Sequence, residues 1–150
     1  MNQVKVILLG FFVGLIAFYI NIVSIGFVGA YMPITLVEIT EGMTQKNIKL
    51  LIEAYFIFET FLAALPMAIA GYIFMLVFKL KADKLFLTVS VGVLLICHLY
   101  ILYLYKLIKI TFNIFLIIDI LVLAVPCILL WFALIAPNKQ LKNGRLKAAL

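Results

Sequence analysis

Four apolar runs occupy most of the chain, at roughly 4–31, 50–78, 85–105 and 110–136. Polar residues gather between them, in the segments 40–49, 79–84 and 106–109, and again after Pro137. Each run reaches the ~20 residues that an α-helix needs to cross the hydrocarbon of a bilayer. The pattern predicts an all-α, integral membrane four-helix antiparallel bundle. Residues 1–150 would form a single four-span transmembrane domain, because so short a chain leaves no room for a second one. The links "KLKADK" and "KLIKI" are short, so spans 2 and 3, and then 3 and 4, are expected to pack as antiparallel hairpins. Pro33 is expected to end the first helix, since its ring blocks a helical hydrogen bond. That leaves an outer loop from about Tyr31 to Asn47, with Glu41-Gly42 as a turn. It is the only loop long enough for recognition, and it carries Glu38 and Glu41.

Composition narrows the setting further. The chain is 68% hydrophobic and 12% charged, about half the charged fraction of a soluble domain, and its mean hydropathy is +1.32. The charges that remain are sorted by side. Lys5, Lys79, Lys81, Lys84, Lys139, Lys142, Arg145 and Lys147 fall at one set of helix ends, against Lys46, Lys49, Lys106 and Lys109 at the other. Eight basic residues against four place both termini in the cytoplasm. The expected location is the cell membrane, multi-pass, of bacterial inner-membrane type. The positive charge then reads as a topology signal and a contact to anionic lipid heads. Nucleic acid is not an expected partner, because the basic tail is short and has no interleaved aromatics. The first apolar stretch is longer than the core of a cleavable signal, so it reads as a retained span. Cys97 and Cys127 lie in different spans without a CxxC pair, and they read as small buried side chains.

The polar residues inside the spans carry the candidate chemistry. Glu59 and Asp119 each interrupt an apolar run, and each is followed by proline seven residues later, in "ETFLAALP" and "DILVLAVP". A carboxylate at the centre of a membrane helix costs about 2.5–3.5 kcal/mol. Counted from the cytoplasmic ends, both acids fall in the outer third, where the cost is lower. Pro66 and Pro126 cannot donate to the carbonyls of Leu62 and Val122, so both helices should break there. Freed carbonyls beside a carboxylate would suit a proton or cation. Asn21, Ser24, Thr60 and Tyr103 are assigned to the same outer layer, with His98 about two turns deeper. His98 also reads as a hydrogen-bonded packing residue. The acids read equally as interhelical fasteners paired with Lys106 or Lys109, while Lys49 is placed to pair with Glu53, four residues on. No ligand spacing supports a metal, and no cofactor is expected.

A weak internal echo at a shift of sixty residues aligns Glu59 with Asp119 and Pro66 with Pro126. It suggests two halves of like orientation about an axis along the membrane normal. "GFFVG" at Gly10–Gly14 suggests a close contact between helices of one chain. Hydrolase, zinc-protease, phosphate-loop and dinucleotide motifs are missing, so the chain is not expected to be an enzyme. The leading functional expectation is a small non-enzymatic accessory protein that packs on another membrane protein or on itself. Immunity and complex stabilisation are examples. The alternative is a small oligomeric proton- or cation-coupled transporter or channel using Glu59 and Asp119.

Overall fold

A computed structural model describes residues 3–40, 42–104 and 114–147, with side chains described in 3–29, 42–44, 47–48, 51–52, 54–101, 103–104 and 120–137. The described residues form four helices: α1 Gln3–Thr40, α2 Gln45–Val77, α3 Lys84–Leu104 and α4 Ile114–Lys147. Each contains a window apolar enough to span a membrane: Gln3–Gly29, Ala54–Val77, Lys84–Ile101 and Ile120–Pro137. Helices are what such sequences must form in lipid, where each backbone amide and carbonyl has to be satisfied within its own segment. The fold is the expected all-helical antiparallel bundle, and the chain is a multi-pass helical membrane protein by its architecture.

Three boundaries differ from the sequence reading, one of them the start of α2, at Gln45 rather than near 50. α1 passes through position 33 and continues to Thr40, and α4 passes through Pro137 and continues to Lys147. A proline removes only one amide hydrogen, and a helix with intact turns on both sides tolerates that loss. The expected outer loop therefore contracts to a turn, with Gly42 at φ 84°. Glu38 falls in the last turn of α1, where its side chain is outside the described residues, as is the whole of Glu41.

The α2–α3 link is built by local hydrogen bonds. Lys79 takes φ 48°, and the amides of Lys79 and Leu80 donate to the carbonyls of Leu76 and Met75, each at 3.3 Å. These are the paired bonds of a left-handed helix stop usually made by glycine. Asp83 then caps α3: its Oδ1 accepts from the Phe86 amide at 2.8 Å, which satisfies one of the free donors at a helix start.

The packing order around the bundle is α1, α2, α4, α3, with the α3–α4 side the lightest. The two helices joined by the short link, α2 and α3, thus stand at opposite corners rather than side by side. α1 and α3 run in the same direction: Gly10 lies against Phe86 and Val89, Gly14 against Ser90 and Val93, and Asn21 against His98. On the other flank Gly71 lies against Leu130, Ala133 and Leu134, an offset near the sixty residues of the sequence echo. The halves do share one orientation. However, a twofold axis along the normal would put equivalent helices at opposite corners, and here they are neighbours. The hairpins are laid side by side instead.

Candidate functional site

The most polar point of the interior lies between α1 and α3. Asn21 is fully buried and His98 is 8% exposed. Asn21 Nδ2 and His98 Nε2 are 2.8 Å apart, and His98 Nδ1 is 2.9 Å from the Leu94 carbonyl. A carbonyl only accepts, so Nδ1 carries the ring hydrogen and Nε2 receives the Asn21 amide. Phe18 meets the imidazole edge-on, with ring centroids 5.2 Å apart. Among the described residues, the buried Asn21 Oδ1 atom has no hydrogen-bond partner. A buried acceptor left unpaired costs about 1–3 kcal/mol. The expected depth of His98, two turns below Asn21, is corrected by this bond. The helices rise together here, so a residue count from each cytoplasmic end misjudges their relative height.

Below this pair the α1–α3 seam is closed. A Cβ on Gly14 would lie 2.6 Å from the Ser90 carbonyl oxygen and 2.8 Å from Val93 Cβ, so only glycine allows that approach. Gly10 and Gly14 thus act within the chain, as the spacing suggested. Ser90 is buried and donates to the Phe86 carbonyl at 2.8 Å. That bond satisfies its hydroxyl without water.

The acids sit elsewhere. Glu59 is half-buried on α2, and its Oε1 lies over Gly29 of α1, 2.9 Å from where a Cβ would stand. The glycine makes room for the carboxylate. Thr60, beside it in sequence, is buried and donates to its own helix at the Phe56 carbonyl, 2.8 Å away. Asp119 belongs to α4, but its side chain lies outside the described residues. Ser24 is half-buried, one turn beyond Asn21. Tyr103 is 75% exposed and faces away from the other residues assigned to the polar layer.

The prolines differ in aspect. Pro66 is exposed, whereas Pro126 is fully buried. A proline and the carbonyl four residues before it share a helix face. The expected breaks do not form: α2 and α4 run on through Pro66 and Pro126, each ring removing one amide hydrogen, on an inward face in α4 and an outward face in α2. A cavity of about 190 Å³ lies among α1, α2 and α4, lined by Val13, Ala17, Met67, Gly71, Phe74 and Leu130 among others. Those walls are apolar, and the space is partly open to the surface of the bundle. Cys97 and Cys127 are free, half-buried thiols. No group of three or more His, Cys, Asp or Glu side chains that could hold a metal occurs among the described residues.

The sequence reading singled out Asn21 and His98 but did not pair them. The capping role of Asp83, the left-handed turn at Lys79 and the seat of Glu59 on Gly29 were also missed. The Asp83 cap had a signal, an aspartate three residues before the first buried position of a helix. Comparison of the chain with protein-family models, curated proteins and solved structures returned no match. What the fold itself defines is the class: a small multi-pass α-helical membrane protein.

Proposed function

We propose that this chain is a non-enzymatic accessory protein of a bacterial-type inner membrane, with both termini cytoplasmic, that acts by holding another membrane protein. The reach of α1 and α2 carries this reading. α1 has 38 residues, or about 57 Å at 1.5 Å per residue, against ~30 Å of hydrocarbon. α1 runs on to Thr40, and α2, of 33 residues, begins at Gln45. Both helices are longer than the hydrocarbon requires, so they form an arm that reaches past it on the side where the chain turns at Gly42. The sequence of this arm includes Glu38, Glu41, Lys46, Lys49 and Glu53. A stiff arm of mixed charge at the outer face suits recognition of a partner's exposed loops. The closed α1–α3 seam and the apolar cavity fit a packing role better than conduction.

Affinity purification in mild detergent tests this. A defined partner should be retained, and Glu38→Lys with Glu41→Lys should release it without changing the thermal stability of the bundle. A protein recovered alone, and stabilised by a particular cation, would overturn the reading.

The second reading is a proton or cation carrier using Glu59 and Asp119. The observation that favours it is the Glu59 carboxylate seated against Gly29 inside a membrane span. Glu59→Gln should then abolish flux while expression is maintained.

A further inference from the structure

The recess among α1, α2 and α4 opens beside Ile16, which is 54% exposed, while Ala17 and Met67, which also line it, are buried. Ala70 and Phe74 extend its α2 wall. Its volume of about 190 Å³ is too small for a helix, which is about 10–12 Å across. Its apolar walls offer water no hydrogen bonds. In a bilayer, the occupant that fits is thin, flexible and apolar, and an acyl chain is all three.

An apolar track joins this mouth to the basic end of the bundle. On α1, Lys5, Leu9, Phe12 and Ile16 recur at helical spacing along one strip. Ile16 stands about 16 Å beyond Lys5 at 1.5 Å per residue, close to the ~15 Å of hydrocarbon in one leaflet. On α2, Phe74 packs on Phe78 with ring centroids 4.6 Å apart, and the exposed Lys79 follows. Gly10 lies against Phe86, so Lys5 is level with the link that carries Lys79, Lys81 and Lys84. All four lysines are exposed. The only acid between Lys79 and Lys84 is Asp83, and its Oδ1 is taken by the Phe86 amide. We infer that the recess and these lysines form one site for an anionic phospholipid, with an acyl chain in the recess and the phosphate between Lys5 and Lys79. The recess selects for a chain, and the lysines select for a negative headgroup. The site lies at the opposite end of α1 from the Gly42 turn, so lipid binding and partner capture fail or stand independently.

The test is native mass spectrometry of the whole chain, stripped of lipid in mild detergent and then offered equimolar phosphatidylglycerol and phosphatidylethanolamine with the same acyl chains. A single phospholipid should be retained on each chain, with phosphatidylglycerol preferred by about fivefold or more. Lys5→Gln with Lys79→Gln should abolish the preference. Ala70→Phe, which sets a ring in the recess, should lower retention of both lipids roughly tenfold. Glycerol phosphate, a headgroup without chains, should not compete. Any of four results would overturn the inference: no lipid retained by the parent chain, equal retention of the two headgroups, a preference that survives both lysine substitutions, or displacement of the lipid by glycerol phosphate. A folded Ala70→Phe chain that holds lipid as the parent does would remove the recess from the site and overturn it equally.

Discussion

At the scale of single residues, the Asn21–His98 bond separates what a side chain is from what it does. Neither carries a charge that the bilayer must exclude, and each satisfies part of the other. The pair is asymmetric, because Asn21 keeps an unpaired oxygen. Replacing His98 with Leu strands both ends of the amide and should destabilise the bundle by about 1–3 kcal/mol. Replacing Asn21 with Leu strands only His98 Nε2 and removes the orphaned oxygen, so the cost should be smaller. The double substitution leaves no buried polar atom at the site and should be more stable than His98→Leu alone. Thermal unfolding in bicelles, read as a double-mutant cycle, checks the order. The wrong order would mean that the amide oxygen is satisfied in the membrane.

At the scale of elements, close approach decides the packing. α1 meets α3 over Gly10 and Gly14, where an added Cβ would strike backbone and β-branched side chains. Gly14→Ala must push these helices apart and should cost about 1–3 kcal/mol. Gly92→Ala meets nothing within 4 Å. It should be neutral or stabilising by about 0.5–1 kcal/mol, since alanine is the better helix former. Equal losses at both positions, measured by the same unfolding assay, would contradict the α1–α3 register. The ends of the elements follow chemistry that sequence shows only in part. Lys79 stops α2 and Asp83 starts α3 as a cap should, whereas Pro33 and Pro137 do not stop their helices. A proline's own steric rule was legible. The support from neighbouring turns, which outweighs it, was not.

At the scale of the whole molecule, the distribution of basic residues predicts the orientation and the helix lengths set the reach. With eight basic residues against four, reporter fusions at either terminus should be inaccessible from outside the cell. Substituting glutamine at Lys79, Lys81 and Lys84 lowers the bias to five against four (8 − 3 = 5). A mixed topology is then expected in the same fusion assay. A single unchanged topology would show that orientation is held by something other than loop charge. The side-by-side hairpins also explain why α2 and α3 are not neighbours: six residues are enough to cross the end of the bundle diagonally.

Composition and run length alone determined that lipid surrounds this chain and that four helices cross it, because burying backbone groups in hydrocarbon leaves a helix as the only local solution. The glycine contact in α1, the acids within spans and the turn at Gly42 were equally readable, since each depends on residues near in sequence. Tertiary structure alone decided which helices are neighbours, that His98 stands level with Asn21, that Glu59 rests on Gly29, and that Pro126 faces inward while Pro66 faces lipid. In a chain this uniformly apolar, hydrophobic periodicity scarcely distinguishes a face that meets a helix from one that meets lipid. Shape and a few hydrogen bonds make that choice, and they exist only once the helices are together.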